Sequence, residues 1–232
     1  MLTVYTIAFN EEIILPYMIK WYRQRFPECR IVVYDNYSED NTEKIALDND
    51  CKVVKFGKKG ELSNSAFLHV KNNCWKTANT NWVLVCDVDE MLDITEEDLK
   101  KEERKGVSII KSKGWDVVNM KDDFNIDSMD CGCNSPGYSK NYLFDRSKIN
   151  EINYDPGCHT AKPYGFVKYS DKEYNLFHKR YVNTDFLIQR YKQYNKRRSE
   201  EDIKYGWAAH YAAKESEIRK EIEEKRKHCQ KI

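Results

Sequence analysis

The segment Asp87-Val88-Asp89-Glu90, here called the DVDE turn, carries the residue types best suited to chemistry in this sequence. Its two aspartates are two positions apart and follow a wholly apolar run at 82–86. Two carboxylates at this spacing can hold Mn²⁺ or Mg²⁺, because phosphate oxygens and water supply the remaining ligands. Such a cation would neutralise charge on a diphosphate leaving group. The sequence therefore predicts Asp87 and Asp89 as metal ligands, with a solvated acidic turn as the alternative.

Strand and helix patterns alternate four times over the first 105 residues. Short apolar runs predict strands at 2–8, 31–34, 52–56 and 82–86, with helical spacing between them. This alternation is typical of βαβ units, so we predict an α/β fold whose central sheet is mainly parallel, with helices on both faces. Ligands bind at the carboxyl ends of the strands in such sheets.

Polar residues follow three of these strands at the same edge of the predicted sheet. Asn10 and Glu11 come after the first strand, Asp35 after the second, and the DVDE turn after the fourth. We therefore expect these side chains to meet at one site. Asp35 is suited to accept hydrogen bonds from a nucleotide base, and a turn or cap contact within its own loop is the alternative.

Capping residues predict several helix boundaries in this part of the chain. Pro27 is expected to end the first helix. Asp40 with Glu43 is expected to begin the second helix, and Thr95 with Asp98 a later one, because each pair has the spacing of an N-terminal cap.

The pattern changes after about residue 107. Short mixed runs to about 178 predict antiparallel strands and loops laid over the sheet, and the chain from 184 onward reads as charged helices. We therefore divide the chain into a domain over 1–183 and a helical appendage over 184–232. Residues 189–232 carry 13 Lys+Arg and 8 Asp+Glu. A solvated surface explains them, and contact with an anionic membrane surface or with a partner helix is the alternative.

Charge and cysteine content exclude some classes of protein. Lys+Arg number 39 and Asp+Glu 38, whereas a nucleic-acid-binding protein should carry a basic excess. No apolar run approaches the roughly 18–20 residues that cross a membrane. Eight cysteines at irregular spacing, without a secretion signal, predict reduced thiols and a cytoplasmic location. Zinc held by Cys131, Cys133, Cys158 and His159 is disfavoured, because a second pair at metal spacing is absent.

Three segments together resemble the nucleotide-sugar glycosyltransferases of the GT-A fold, family 2-like: FNEE at 9–12, YDNYSEDNT at 34–42 and WVLVCDVDEML at 82–92. The resemblance implies that residues 1–183 are a GT-A catalytic domain. It also implies that Asp35 binds the base, that Asp87 lies near the ribose and the metal, and that Asp89 ligates the metal. The expected nucleotide-sugar site comprises Ala8, Asn10, Glu11, Asp35, Asn64, Asp87, Val88 and Lys140.

The second half resembles a small subgroup of these enzymes through GCH at 157–159, LFHKR at 176–180 and NTDFLIQRY at 183–191. A further metal ligand in GT-A enzymes often comes from a later histidine, so the resemblance makes His159 and His178 candidates. Lys140 is expected to meet the diphosphate, and an ordinary exposed lysine is the alternative.

The resemblance also requires a base that takes the proton from the acceptor hydroxyl. The acidic pair that family 2 enzymes usually show after the DxD is not recognisable here. Asp155, in a Pro-Gly turn before His159, is the first candidate. Asp185 is the second, although its position also suits a helix N-cap.

We therefore expect a metal-dependent, inverting glycosyltransferase that moves a sugar from a nucleoside-diphosphate sugar, by default a UDP-sugar, to a hydroxyl of a glycan or other acceptor. GxGxxG and GxxxxGK[ST] are absent, which disfavours dinucleotide-binding and P-loop folds. One alternative is a haloacid-dehalogenase-like phosphatase with Asp87 as nucleophile, although Glu90 and Met91 replace the residues expected after its motif. The other is a module that binds a sugar nucleotide without turnover.

Overall fold

The computed structural model describes all 232 residues, which form a ten-stranded sheet, a separate two-stranded sheet and seven α-helices. The helices are α1 Leu15–Arg25, α2 Thr42–Asp48, α3 Asn64–Asn73, α4 Glu96–Arg104, α5 Thr184–Arg197, α6 Glu200–Tyr205 and α7 Glu215–His228. The strands are β1 Leu2–Ala8, β2 Arg30–Asp35, β3 Lys52–Lys55, β4 Trp82–Asp87, β5 Glu90–Leu92, β6 Ile109–Val118, β7 Cys131–Asn134, β8 Leu143–Asp145, β9 Ile149–Glu151, β10 Tyr164–Gly165, β11 Tyr169–Tyr181 and β12 Gln230–Lys231.

The main sheet has the strand order β12-β7-β6-β8-β4-β1-β2-β3, and β11 joins it by pairing with β6 and β5. The four strands at one side, β3, β2, β1 and β4, are all parallel. Strands β7 and β8 run antiparallel to their neighbours, as does the short β5. The α/β fold with a parallel first half and an antiparallel addition is therefore confirmed.

Strands β1 and β4 lie at the centre of the main hydrophobic core. Every residue of β1 is buried, and so are the first five residues of β4. Apolar side chains on both faces are what a strand covered on both sides requires, which explains the unbroken apolar runs. The parallel register places Asp35 beside Ala8, and Asp87 beside Ile7. The carboxyl ends of β1, β2 and β4 therefore lie side by side at one edge of the sheet.

Most predicted boundaries agree with the structure, and one is shifted. Thr95 and Asp98 form the expected capping box at the start of α4. Helix α2 begins at Thr42 with Asn41 as its N-cap residue, and not at Asp40. The reason is that the Asp40 carboxylate accepts hydrogen bonds from the backbone N–H groups of Thr42, at 2.9 Å, and Glu12, at 3.1 Å. Asp40 therefore connects the loop after β1 to the loop after β2, and Asn41 takes the N-cap position.

Residues 184–232 pack against the sheet. Leu187 and Ile188 of α5 form a small apolar cluster with Ile218 and Ile222 of α7. Part of the basic charge of this segment is neutralised internally, since Lys225 Nζ lies 2.8 Å from an oxygen of Asp116 on β6.

No helix is both long enough and apolar enough to cross a membrane. All eight cysteines are free thiols.

Candidate active site

A cavity of about 320 Å³ opens at the carboxyl ends of β1 and β4. Five parts of the chain supply its walls. They are the ends of the two strands, helix α3, the loops around 138–140 and 156–159, strand β11 at 178–180, and the C-terminal segment from α5 to residue 211. The cavity therefore forms where ligands bind in sheets of this kind, and α5 with residues 207–211 completes it.

Asp87 enters the cavity between two buried lysines. Its Oδ1 lies 2.7 Å from Lys71 Nζ, and its Oδ2 lies 3.8 Å from Lys140 Nζ. Lys140 is also paired with buried Glu90, at 2.6 Å. Burial opposes ionisation of Asp87, but the two ammonium groups outweigh it and hold the pKa of this carboxyl below its ordinary value. The result is a compact group of two cations and two carboxylates beside the cavity.

Asp89 is held by a side chain from the far end of the sequence. Its Oδ2 accepts a hydrogen bond of 3.0 Å from Arg190 Nη1, on α5. The Arg190 guanidinium also pairs with Glu11 at the end of β1, and the Tyr194 hydroxyl donates to Glu11 Oε1 at 2.9 Å. Burial, only partly offset by Arg190, raises the pKa of Glu11 to about 7. These contacts tie α5 to the carboxyl ends of both central strands.

His178 lies on the other side of Asp89. Its Nε2 is 3.7 Å from Asp89 Oδ2, and its Nδ1 is 2.9 Å from Asp116 Oδ1. Burial opposes protonation of this imidazole, but Asp89 and Asp116 outweigh it, so the pKa of His178 is raised. The ring stacks on Tyr138, with centroids 3.9 Å apart. His178 is thus fixed by two carboxylates and an aromatic face.

The contacts of these carboxylates test the expected Mn²⁺ or Mg²⁺ site. Both oxygens of Asp87 face ammonium groups, and Asp89 Oδ2 faces a guanidinium and an imidazole. No three acidic, histidine or cysteine side chains converge as ligands. Lys71 and Lys140 are buried, so a divalent cation on Asp87 would lie against two fixed positive charges. The donor set therefore does not fit a metal ion in the observed arrangement.

The residues expected to contact the nucleotide sugar divide into two groups. Glu11, Asn64, Asp87, Val88 and Lys140 line the cavity. Two of them hold buried atoms without a hydrogen-bond partner, the Oε2 of Glu11 and the Nδ2 of Asn64. Buried polar atoms are normally paired, so these two are exceptions within the cavity wall.

The remaining expected nucleotide contacts lie outside the cavity wall. Asp35 is fully buried and accepts hydrogen bonds from the Ser38 backbone N–H, at 3.1 Å, and from Lys55. Asn10 accepts a bond from the Glu39 backbone N–H, at 2.8 Å. Ala8 is buried in the sheet. These residues shape the loop after β2, and their expected contact with a base stays a prediction.

The two expected bases occupy different surroundings. Asp155 is exposed, accepts a hydrogen bond from the Thr160 hydroxyl at 2.7 Å, and directly precedes the cavity wall at 156–159. Asp185 is exposed in the first turn of α5, where its carboxylate pairs with Arg219 at 2.7 Å. Neither side chain lines the cavity, and only Asp155 adjoins it.

His159, the other expected metal ligand, does line the cavity. Its Nδ1 is 2.7 Å from the carbonyl oxygen of Gly137, which a neutral ring satisfies by donating Nδ1–H. Burial is the main cause that lowers the pKa of His159, followed by the nearby Lys140.

Several residues of the cavity had not been expected from the sequence. Lys71, Arg190, Tyr194 and His210 all line it. The helical spacing of Leu187, Arg190 and Tyr194 is the signal that could have placed two of them on one face of α5. Burial lowers the pKa of His210 to about 4, so this ring is neutral near pH 7.

Residues 3–101 match the family model for glycosyl transferase family 2. No curated protein sequence matches the chain. The solved structures that are similar include *S. aureus* TarS, with 15% identity over 82% of this chain and 39% of that one and a TM-score of 0.48. TarS 1-349 in complex with UDP-GlcNAc shows 17% identity over 82% and 64%, with a TM-score of 0.46.

Glucosyl-3-phosphoglycerate synthase from *Mycobacterium tuberculosis*, in complex with Mn²⁺, UDP and glucosyl-3-phosphoglycerate, is also similar. Its identity is 17% over 49% of this chain and 43% of that one, with a TM-score of 0.35. The chain thus spans between 39% and 64% of the length of these three structures.

Proposed function

We propose that the protein transfers a sugar from a nucleoside-diphosphate sugar to a hydroxyl of a glycan or other acceptor, with inversion at the anomeric carbon, because residues 3–101 match the family model for glycosyl transferase family 2. A UDP-sugar is the donor that we propose first. The cavity at the ends of β1 and β4 is the proposed site of both binding and reaction.

One observation carries this proposal. Residues that are distant in sequence, among them Glu11, Asp87 and Arg190, converge on one cavity at the carboxyl ends of β1 and β4. Ligands of parallel sheets bind at this position. The same cavity also holds the DVDE turn within the family 2 segment.

Lys71 and Lys140 are the groups that we propose for the diphosphate. Each ammonium group has three N–H donors. Their closest acidic partners are one oxygen of Asp87 for Lys71 and one of Glu90 for Lys140. The remaining donors can stabilise negative charge that develops on the leaving diphosphate. The expected Mn²⁺ or Mg²⁺ would also stabilise the charge on the diphosphate. Binding of such a cation to Asp87 would require that the ammonium groups of Lys71 and Lys140 move away from this carboxylate.

Asp155 is the proposed proton acceptor. It directly precedes the cavity wall at 156–159 and is the nearer of the two expected bases to the cavity. Its hydrogen bond from Thr160 and its contact with Lys162 hold the pKa of this carboxyl below its ordinary value, which keeps it ionised and makes it a weaker base than a free aspartate. In the proposed reaction, it takes the proton of the acceptor hydroxyl while the hydroxyl oxygen attacks the anomeric carbon from the face opposite the diphosphate.

A thermal-shift screen of nucleoside-diphosphate sugars, followed by an assay of nucleoside-diphosphate release, tests the function. A ligand at 100 times its Kd should stabilise the fold by about 2.7 kcal/mol. Sugar transfer to an added acceptor supports the proposal. Binding without transfer over a broad acceptor panel would favour the non-catalytic module, and phosphate release from a phosphomonoester with a covalent phosphate on Asp87 would favour the phosphatase.

A further inference from the structure

Arg180 is a cation in the cavity wall to which the proposed reaction assigns no role. Strand β11 carries one more residue than β6 between His178 and Tyr181, and an extra residue of this kind re-aims the side chains next to it. His178 and Arg180 both line the cavity, whereas Lys179 between them donates to the Ile126 carbonyl oxygen at 3.1 Å. The Arg180 guanidinium therefore belongs to the cavity, on the same strand as His178.

The carboxylate partner of Arg180 lies outside the cavity. Arg180 Nη2 donates to Glu221 Oε1, on α7, at 3.0 Å, and the Tyr181 hydroxyl donates to the same oxygen. Glu221 does not line the cavity, and its side chain is 39% exposed, against 16% for Arg180. Every hydrogen bond of the guanidinium uses Nη2, and Nη1, unlike Nε, is not enclosed by the protein. The two N–H groups of Nη1 are therefore left for a ligand.

The other carboxylates of the cavity wall do not neutralise Arg180 either. Both ammonium groups that we propose for the diphosphate face Asp87. Arg190 pairs with Glu11 and with Asp89. Each acidic side chain that lines the cavity thus has a cation of its own. Arg180 remains as the cation whose partner is solvated and shared with a tyrosine.

Neutral polar groups line the same cavity as Arg180. Tyr191 and His210 are neighbours, with ring centroids 5.9 Å apart, and Tyr138 stacks on the imidazole of His178. Burial, and after it the charge of Arg180, lowers the pKa of His210 to about 4. The field of the guanidinium therefore reaches this ring, which is neutral near pH 7. A neutral imidazole and a phenol each have one hydrogen to donate, so they can add hydrogen bonds to an anion held by Arg180.

Arg180 and the two lysines at Asp87 are separate sets of donors. A guanidinium is suited to the oxygens of a phosphate or a carboxylate, because its N–H groups form a planar fork. A nucleoside-diphosphate sugar whose sugar is uncharged carries its negative charge on the diphosphate, which the lysines are proposed to bind. A second anion in the cavity has to belong to the other substrate.

We propose that the acceptor carries an anionic group, a phosphate or a carboxylate, and that Arg180 binds this group while a hydroxyl of the acceptor faces the donor. The inference rests on the proposed function, because it assigns the acceptor of that reaction. An uncharged acceptor of the same shape would take water away from the guanidinium without supplying an anion, so it should bind more weakly. Arg180 thereby selects acceptors by their charge.

Transfer to matched acceptors tests this inference. Glycerol, glycerol 3-phosphate and glycerate form one set, and a sugar with its phosphate and its carboxylate derivative forms another. The wild type should use the anionic members with a KM at least about tenfold lower than that of the uncharged member. The variant Arg180→Gln/Glu221→Gln removes both charges of the pair, so that neither is left alone. It should raise the KM of the anionic acceptors by about 10- to 100-fold and that of the uncharged ones by less than about twofold.

The variant Glu224→Gln/Lys227→Gln is the matched control, since it removes an exposed ion pair of the same helix α7. It should keep the wild-type preference. Equal KM values for charged and uncharged acceptors, or an unchanged preference in the Arg180 variant, would overturn the inference. A higher Kd of UDP in that variant would also overturn it, because Arg180 would then belong to the donor site.

Failure of the proposed function gives a different result. A wild type that neither binds nor turns over any nucleotide sugar would refute the proposed function. Normal turnover of the donor without preference for an anionic acceptor refutes the present inference alone.

Discussion

Arg190 Nη1 lies 3.0 Å from Asp89 Oδ2, and the same guanidinium pairs with Glu11. One side chain of α5 thereby neutralises two buried carboxylates, each at the end of a different central strand. Helix α5 is for this reason part of the cavity wall. A substitution of Arg190 should therefore lower both the stability of the fold and the binding of a ligand in the cavity.

Arg190→Ala should destabilise the fold strongly. The substitution leaves Glu11 and Asp89 buried without their cation, and breaking a buried ion pair in this way costs about 3–5 kcal/mol. Urea unfolding measures the free energy. Lys192→Ala, which removes an exposed ion pair with Glu215 on the same helix, is the control and should cost less than about 1 kcal/mol. Equal costs in the two variants would show that the Arg190 contacts do not stabilise the fold.

Stability should fall as pH rises above about 6.5. The folded protein holds the His178 proton more tightly than the unfolded chain does, because the attraction of Asp89 and Asp116 outweighs burial and the nearby Arg180. A raised pKa in the folded state gives stability that is fully present below the unfolded value of about 6.5 and is lost as pH rises through the folded value.

The free energy of unfolding, measured across this range, should therefore decrease less steeply for His178→Gln than for the wild type. His69→Gln changes an exposed histidine on α3 and serves as the control. The role of His178 would be refuted if all three proteins had the same slope.

Removal of Lys140 should weaken binding of the diphosphate selectively. We suggest Lys140→Met with Glu90→Gln, because the double change removes the buried pair without leaving one charge alone. Loss of a charge-assisted hydrogen bond should raise the Kd of UDP by about 10- to 100-fold. Uridine, which has no phosphate, should bind unchanged in calorimetry. Equal losses for UDP and uridine would point to a general disturbance of the cavity.

Chelation of metal ions should leave binding of UDP largely intact. Lys71 and Lys140 already provide positive charge beside Asp87, and the observed carboxylates have cationic partners. Calorimetric titration with UDP in EDTA and in excess Mn²⁺ should give Kd values within about tenfold of each other, or about 1.4 kcal/mol. Binding that is abolished by EDTA and restored by Mn²⁺ would show that a metal ion displaces these ammonium groups, as the sequence alone had predicted.

Asp155→Asn should slow sugar transfer and leave donor binding unchanged. Removing a general base typically lowers the rate by about 10²- to 10⁴-fold. Asp185→Asn is the matched control, because this carboxylate pairs with Arg219 away from the cavity. Its rate should stay close to that of the wild type. Full activity of Asp155→Asn would assign the proton to a group that lines the cavity, such as His159.

The sequence predicted the parts of the site that depend on local pattern. The DVDE turn was recognisable because an apolar strand ends in closely spaced carboxylates, and parallel strands bring their carboxyl ends to one edge. Glu11 and Lys140 were expected in the site and do line it. In these cases, the information lies within a few residues of the motif.

Partners that come from distant elements could not be predicted in the same way. Arg190 and Glu11 are 179 residues apart, and nothing in either neighbourhood indicates the other. Lys71 lies on a helix whose apolar spacing predicts a core face, so its ammonium group at Asp87 was not foreseen. The metal expected at Asp87 and Asp89 illustrates the consequence. Spacing shows that two carboxylates can hold a cation, but only the fold shows which cations are beside them.

The hydrogen bond from the Tyr194 hydroxyl to Glu11 Oε1 joins residues 183 positions apart. On the ribosome, β1 and the DVDE turn emerge long before α5 is synthesised, and contacts between distant residues form late because a large loop must close first. The wall of the cavity is therefore incomplete until α5 docks. Once nucleotide is bound, it should retard the opening of α5, and slower hydrogen exchange of the α5 amides would report this directly.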